Sequence, residues 1–549
     1  GTLGPGISTR GDDVSWNFGD VFEAVAAAVP DAPAQIQGDL VRTWGEFDRR
    51  ANALATDLLD AGLGQQSKVG IYLYNCPEYF EVVQGAFKAA MVPFNTNYRY
   101  GPDEVAYLFD NADAEAVVFH TSFAELIDRI RGELPAVRRW YAIDDTGSGI
   151  PPWAFDYQAL VAEGADRIVP PWGRSGDDIL MLYTGGTTGM PKGVMWRQDD
   201  LFTVLGRGGN ALVGTAPAET LDDIAERATG GVSLLVACPM MHGTGQFSAF
   251  GIMQLGGAVV ALPSRHFDPA ELWRVVDERS VNVLSIVGDA FAKPMLAELD
   301  ANRDRYDLSS VLAMISSGVM WSQEVKNGLI GHIPQVTLSD NFASSEALGM
   351  GASVSSADRT ESTAKFRVGP RCKVFTDDDR EVQPGSGEAG MVAVGGAIPL
   401  GYYKDEAKTA ATFRTVDGVR YSIPGDWATV NEDGTLNLLG RGSVCINTGG
   451  EKVYPEEVEE ALKRHPSVND AVCVAVPDER FGEAICAVVE PAAGQTPTLD
   501  DLSAHVKAGL ASYKAPRHLV VVETIGRAVN GKVDYKRLTT HAREVVGTG

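Results

Sequence analysis

The chain has 549 residues, a formal net charge of −26 and 44% hydrophobic residues. That length is too great for one ordinary core, so two or more domains are expected, with the composition of a soluble globular protein. An acidic balance of this size excludes a nucleic-acid binder, which needs a basic face, and opposes electrostatic docking on anionic lipid.

In chain order, the first residues show no charged n-region followed by an apolar h-region. Lys68–Leu73 reads as a strand, Tyr79–Ala90 as a helix and Ala116–His120 as another strand. The apolar run Ile179–Leu182 leads into Tyr183-Thr-Gly-Gly-Thr-Thr-Gly-Met-Pro-Lys-Gly193. Apolar stretches such as Val232–Cys238 and Ala258–Leu262 fall well short of the ~18 residues of a membrane helix, so no transmembrane segment is expected. Glu271–Arg279 is helical and Val281–Val287 a buried strand. This alternation predicts an α/β fold, with mainly parallel sheets covered by helices.

A hairpin turn at Asp433-Gly434 is followed by a strand and a polar break ending at Ser443. Beyond it the pattern changes to compact α+β. Glu456–Arg464 is a helix opening after Pro455, Ala471–Val476 pairs with Ala484–Val489, Leu502–Leu510 is a helix and Leu519–Glu523 a strand. The division expected is a large domain over 1–440, a hinge at 441–443 and a small mobile domain over 444–549. Residues 443–549 hold 12 Lys/Arg against 15 Asp/Glu, so −23 of the −26 lies before them. The six cysteines (76, 238, 372, 445, 473 and 486) form no Cys-x-x-Cys pair, which predicts no disulfide framework, no zinc site and a reducing, cytoplasmic location.

The Tyr183–Gly193 loop carries the most chemistry. Gly185, Gly186 and Gly189 lack Cβ atoms, so backbone N–H groups there can approach an anion closely. Thr184, Thr187 and Thr188 add hydroxyl donors and Lys192 a point charge. It is not a Walker A loop, because Pro191 precedes the lysine and Gly193 follows it. The bland alternative is a strand-to-helix turn rich in small residues. The order Thr-Gly-Gly-Thr-Thr-Gly-x-Pro-Lys-Gly resembles the phosphate loop of the adenylate-forming superfamily, which contains acyl-CoA synthetases, firefly-type luciferases and peptide-synthetase adenylation domains.

The rest of the chain extends that resemblance. His242, in Pro239-Met-Met-His-Gly-Thr-Gly-Gln-Phe247, follows a buried strand, where open α/β sheets place ligand groups. In the resembled family this histidine stands beside the carboxylate being activated, and the residues after it edge the acyl pocket. No Asp occurs between Pro239 and Phe247, which points away from an amino-acid substrate. The resemblance lays Ser316-Ser-Gly318-Val-Met320 along the adenine and acyl chain. It carries the adenine-contacting motif onto Asn341, Phe342, Ala343, Ser344 and Ser345, with Glu346 and Thr184 toward Mg²⁺. Asp426 matches the residue that grips the ribose hydroxyls, and Arg441 the arginine at the domain junction. Ser443 stands at the hinge position, where the family usually has Asp or Lys. Gly449, Gly450, Glu451 and Lys452 match the pantetheine-tunnel motif, and Lys532 the adenylation lysine.

The resemblance implies an ATP-dependent acyl-CoA synthetase using ATP, Mg²⁺ and coenzyme A, with Lys532, His242 and Lys192 as catalytic residues. The acyl pocket is expected from His242, Gly243, Gln246, Phe247, Asp289, Phe291 and Met320, mainly small, apolar or aromatic groups. Asp289 also reads as a turn or helix-capping residue. The motif wording is most similar to actinobacterial fatty-acid and steroid-side-chain CoA ligases. The expected substrate is a medium- to long-chain fatty acid, with a steroid or other alicyclic side-chain acid as alternative. Transfer to a carrier protein, luciferase-like oxidation and a homodimer stay open. A catalytically dead scaffold is opposed by the presence of Lys532, Glu346 and Asp426.

Overall fold

The computed structural model describes residues 15–184, 190–209, 215–319, 321–358, 365–441, 446–448, 451–453, 455–478, 482–510, 512–528 and 533–547. The backbone groups into two compact units. One comprises 1–349, 354–361 and 395–422, the other 350–353, 362–394 and 423–549. The segment 362–394 and the strands after Ile423 thus cluster with the C-terminal residues rather than with the first 349.

Two helix-covered sheets dominate the first unit. In one, the strands Phe155–Asp156, Arg139–Ile143, Ala114–His120, Lys68–Tyr72, Val92–Asn95 and Ile179–Thr184 lie side by side and parallel. Lys192–Arg197 then pairs antiparallel with Ile179–Thr184, and Gly401–Tyr402 antiparallel with Lys192–Arg197. In the other, Thr337–Ser344, Ala313–Ser317, Val283–Ile286, Ser233–Val236, Ala258–Ala261 and Pro33–Gln37 run parallel in that order. Such strands are buried on both faces, so they read as near-continuous apolar runs: Val92–Asn95, Ala258–Ala261 and Val283–Ile286 are buried at every position, the polar Asn95 and Ser285 included. Phe18, Phe22, Phe87 and Phe250 pack ring against ring beneath the helices, with centroids 5.0–6.2 Å apart.

The alternating elements of the sequence are present with small shifts. The expected Tyr79–Ala90 helix is Pro77–Lys88, begun two residues earlier by a proline suited to a first turn. The Val281–Val287 strand is Val283–Ile286. One local alternative is overturned: the Gly/Thr-rich loop leads into the strand Lys192–Arg197, not into a helix, so no helix N-terminus begins there.

The second unit is built on antiparallel pairs. Asp426–Val430 and Leu436–Arg441 form the expected hairpin, with Gly434 at φ +78° in its turn. Val468–Asp478 pairs with Gly482–Pro491 in the anticipated register, Ala471 opposite Val489 and Val476 opposite Ala484. His518–Val521 joins that ribbon parallel to Gly482–Pro491 and stops two residues short of the expected Glu523. The ribbon buries apolar side chains on both faces. The helices Pro455–Lys463 and Leu499–Gly509 supply Val458, Leu462, Leu502 and Val506 on one side, and Tyr535–Gly547 supplies Leu538 and Ala542 on the other.

Candidate active site

The two sheets of the first unit are riveted where their parallel strands end, and the rivets are asparagines. Asn95, 3% exposed, closes the strand Val92–Asn95. Its Nδ2 donates to the Tyr183 carbonyl at 2.8 Å and the Met241 carbonyl at 2.7 Å, and its Oδ1 accepts from Tyr183 N at 2.7 Å. The root of the Gly/Thr loop and the residue before His242 therefore share one buried side chain. Asn75 repeats the device, donating to the Cys238 carbonyl at 2.9 Å and accepting from Met240 N at 2.7 Å. Neither belongs to a motif, yet each stands at or just beyond the C-terminal end of an apolar strand, a placement the sequence alone displays.

His242 is the N-cap residue of the helix Gly243–Met253. A Cβ on Gly245 would lie 2.6 Å from the Pro239 carbonyl oxygen, so only glycine fits that tight turn. A Cβ on Gly243 would meet the Phe247 ring at 3.3 Å and Leu182 at 3.4 Å, which sets the helix start against the strand feeding the loop. Phe247 is buried with its ring 6.5 Å from that of Trp196, and Gln246 is buried with Oε1 unpartnered among the described residues. Cys238, before this turn, is no nucleophile, because burial pushes its thiol up to about 11.

The neighbouring strand ends supply the next groups. Ser316 Oγ accepts from Gly288 N at 2.9 Å, and Ser317 lies opposite Asn341 in register. Gly318 has φ +90° with nothing within 4 Å of where a Cβ would stand, an open backbone edge beside Asn341. Asn341 and Ala343 are half-buried on one face of their strand, while Phe342 is buried on the other. Asp289, in the first turn of the helix Gly288–Ala301, accepts from Ser322 N at 2.9 Å and Ser322 Oγ at 3.0 Å. Its carboxylate thus ties down Ser322, the N-cap residue of the helix Gln323–His332. Phe291 is buried edge-on to Phe267, with centroids 4.7 Å apart.

Glu346 and Lys192 are held by residues the motif reading missed. Glu346 is half-buried, and its Oε1 accepts from the Tyr402 hydroxyl at 2.7 Å. Its backbone carbonyl accepts from Ser422 Oγ at 2.7 Å. Trp196 Nε1 donates to the Ser345 carbonyl at 3.0 Å, and Ser344 Oγ accepts from Ala347 N at 3.1 Å. Lys192, opposite Thr184 in register, places Nζ 2.5 Å from Asp405 Oδ2. That hydrogen bond holds the Asp405 carboxyl below the usual range. The second oxygen of Glu346 has no protein partner among the described residues. A half-buried carboxylate with one oxygen fixed and one spare is the donor a hard divalent cation takes.

In the second unit Asp426 and Arg441 are Cα partners across the hairpin, so two residues named separately from sequence are neighbours. Asp426 is buried, at 8% exposed. Glu451 and Lys452 lie in the strand Glu451–Val453, opposite Thr448 and Asn447. Tyr535, which opens the last helix, donates to the buried carboxylate of Glu459 at 3.1 Å, and Cys473 N donates to it at 2.9 Å. Burial raises the pKa of that carboxyl. Gly185, Gly186, Thr187, Thr188, Gly189, Met320, Ser443, Gly449, Gly450 and Lys532 lie outside the described residues, as does the side chain of Arg441.

Comparison with known proteins gives a consistent result. The AMP-binding enzyme family matches residues 22–403, and the AMP-binding enzyme C-terminal domain matches 457–532. A medium/long-chain-fatty-acid–CoA/3-oxocholest-4-en-26-oate–CoA ligase of Mycolicibacterium smegmatis is 41% identical over 530 residues, 95% of each chain. The 3-oxocholest-4-en-26-oate–CoA ligase of Rhodococcus rhodochrous matches with the same identity and coverage. The medium-chain acyl-CoA ligase Mig of Mycobacterium avium is 38% identical over 535 residues, 94% of this chain and 96% of its own. Among solved structures, an anthranilate CoA ligase in complex with anthranoyl-AMP superposes with a TM-score of 0.82 at 20% identity, covering 97% of this chain and 98% of its own. A Mycobacterium tuberculosis fatty acyl CoA synthetase gives 0.69 at 21% identity, covering 96% and 99%. At these identities the superpositions speak for the fold.

Proposed function

From the premise that the chain belongs to the AMP-binding enzyme family and is an AMP-forming acid–CoA ligase, we propose that its acid is a medium- to long-chain fatty acid. The observation that carries this reading is the 41% identity over 95% of the chain to a medium/long-chain-fatty-acid–CoA/3-oxocholest-4-en-26-oate–CoA ligase, and the joint rivet of Asn95 supports it by setting the loop root beside the His242 turn and its apolar helix. A second reading, a steroid side-chain acid, is favoured by the name of the Rhodococcus rhodochrous relative, as similar to this chain as the bifunctional ones.

A carboxylate is a poor acylating agent because its leaving group would be oxide. Here a carboxylate oxygen attacks the α-phosphorus of ATP, the bond to pyrophosphate breaks, and acyl-AMP forms. Charge gathers on the α-phosphate and the departing pyrophosphate, so fixed donors around those oxygens lower the barrier. The residues at 184–189 and Lys192 hold the β- and γ-phosphates, and Lys532 spans the carboxylate and α-phosphate. Asp426 holds the ribose, Asn341–Ser345 and Gly318 edge the adenine, and His242 stands by the acid. Glu346 and Thr184 are the residues that would hold Mg²⁺, which supplies charge neutralisation on the phosphates. In the second half-reaction the coenzyme A thiolate attacks the acyl carbonyl, and the bond to AMP breaks. We assign Gly449–Lys452 to the thiol's approach and residues 441–443 to a hinge that exchanges this segment for Lys532.

The site is proposed to work in a reducing, cytoplasmic setting. Among the described residues, Cys76, Cys238, Cys372, Cys473 and Cys486 are buried free thiols, and no helix is long and apolar enough to cross a membrane. The test is incubation with ATP, Mg²⁺ and a panel of fatty and steroid side-chain acids, with and without coenzyme A, and products identified by mass. Acyl-CoA and AMP from fatty acids of one length class are expected. Turnover of the steroid acids alone selects the second reading, and an acyl-AMP that coenzyme A fails to discharge refutes the acceptor. Lys532→Ala should abolish pyrophosphate exchange while preformed acyl-AMP is still thiolysed, and Gly449→Trp should do the reverse. Equal loss of both half-reactions in both variants refutes the two-position scheme.

A further inference from the structure

The strand Gly401–Tyr402 and the helix Glu406–Thr412 after it lie outside every motif used so far, yet this short stretch touches two of the charged groups assigned to ATP. Its backbone is fixed to the strand that leaves the phosphate loop. Gly401 and Tyr402 pair with Met195 and Val194, Leu400 N donates to the Met195 carbonyl at 2.8 Å, and Tyr403 N donates to the Gly193 carbonyl at 2.8 Å. Thr409 Oγ1 accepts from Tyr402 N at 2.9 Å and donates to the Asp405 carbonyl at 2.8 Å, which locks the strand to the helix. Gly401, at φ +148°, lies so close to Thr409 that any larger residue would collide with it. The Tyr402 ring is buried, 5.9 Å from that of Phe413. From this fixed stretch the Tyr402 hydroxyl reaches Glu346 at 2.7 Å and the Asp405 carboxylate reaches Lys192 at 2.5 Å. Asp405 is itself held, because its other oxygen caps the helix by accepting from Lys408 N at 2.9 Å.

We propose that Tyr402 and Asp405 are positioning residues that set, from one rigid stretch, the cation-facing carboxylate of Glu346 and the phosphate-facing ammonium of Lys192. The inference rests on the roles assigned above to Glu346 and Lys192 and adds what aims them. One oxygen of Glu346 is occupied by the tyrosine hydroxyl, so the carboxylate plane is set and the other oxygen is presented. Without the hydroxyl the carboxylate can rotate, and a cation demanding near-octahedral geometry loses a preset ligand. Lys192 rides on a flexible four-carbon stem, and its pairing with a capped aspartate removes that freedom. Because both contacts spring from the same few residues, the separation between carboxylate and ammonium is fixed by one piece of backbone.

The test is the binding of ATP itself, by equilibrium dialysis with and without Mg²⁺, in the absence of acid so that no turnover occurs. The ratio of the two dissociation constants measures how far the protein holds the cation. Each constant is read per site, so loss of folded protein lowers the stoichiometry and leaves the constant. Tyr402→Phe keeps the ring and should lower the ratio about fivefold to tenfold. Asp405→Asn keeps the helix cap and should weaken ATP about fivefold in both conditions, leaving the ratio unchanged. A wild-type ratio in Tyr402→Phe, beside a collapsed one in Glu346→Gln, refutes the tyrosine's role alone. A wild-type ratio in Glu346→Gln removes the cation-ligand reading and this inference with it. Tighter ATP in Asp405→Asn would show the carboxylate competing with phosphate for Lys192, which overturns its positioning role.

Discussion

Gly440→Ala strikes the hairpin that carries Asp426 and Arg441 at its weakest geometric point. The strands Asp426–Val430 and Leu436–Arg441 are in simple register at Ala428–Leu438, then shift so that Trp427 faces Gly440 and Asp426 faces Arg441. The extra residue forms a bulge, and Gly440 meets it with φ +108°, a backbone conformation that L side chains rarely adopt. A Cβ there would also overlap the Glu456 carboxylate. Holding alanine in such a region costs about 2 kcal/mol, before any movement of Glu456. For a unit of this size that corresponds to about 4–8 °C in Tm. The alternative to strain is for the bulge to slip, and a slip of one residue sends Arg441 to the opposite face of the strand. If Arg441 holds the nucleotide as the family resemblance implies, losing that charge-assisted contact is worth about 1.5–3 kcal/mol, a ten- to hundredfold fall in kcat/KM for ATP. Differential scanning calorimetry and initial rates at varied ATP separate the two responses. A variant that melts with wild type and keeps kcat/KM for ATP within about twofold refutes the argument that the bulge needs glycine.

Two further outcomes follow from buried polar groups. Burial raises Asp178 to about 6, although it accepts from Gln66, Asn17 and Ser175. A folded pKa above the unfolded value means that its contribution is full below about pH 4 and lost as pH rises through about 6, some 2–3 kcal/mol in all. Asp178→Asn should therefore melt above wild type at pH 7 and converge with it near pH 4, and parallel melting curves across that range would contradict the assignment. Asn95→Leu leaves the Tyr183 carbonyl, the Tyr183 amide and the Met241 carbonyl without their partner. At about 1–3 kcal/mol for each buried unsatisfied group, chemical denaturation should show a loss of several kcal/mol. A change below about 1 kcal/mol would mean that the two strand ends are held by something else.

What the sequence made legible was local. Apolar runs became strands, the helix expected from Tyr79 was present although it opens two residues earlier at Pro77, and Ala471–Val476 paired with Ala484–Val489 as expected, the strands running past the expected turn start to Asp478. Asp289 does not cap the helix it opens, whose N-cap is Val287 without a side-chain cap; its carboxylate accepts from the distant Ser322 instead. The Gly/Thr loop was legible as an anion cradle but not as a strand-to-strand connection, because small residues serve either geometry and the partner strand was needed to decide. Illegible altogether were the long-range fixings. Lys192 and Asp405 stand 213 residues apart, Trp196 and Ser345 149, and no periodicity or spacing reports a contact created by sheet order.

That division has a physical consequence for how the site can fail. In the roles proposed above, motif residues each present one group to substrate, so their loss should remove one interaction and leave the rest standing. Residues such as Asn95 and the Gly401–Asp405 stretch present nothing to substrate but fix two groups at once, so their loss moves both together. Coupled groups are non-additive under mutation. Tyr402→Phe and Asp405→Asn leave the backbone of the stretch paired with Met195 and Val194, so each should change only its own reading. Gly401→Val, which drives a side chain into Thr409, should instead lower the Mg²⁺ ratio and weaken ATP without Mg²⁺ in one variant. If Gly401→Val changes only one of the two readings, the stretch is two independent contacts and not one rigid element.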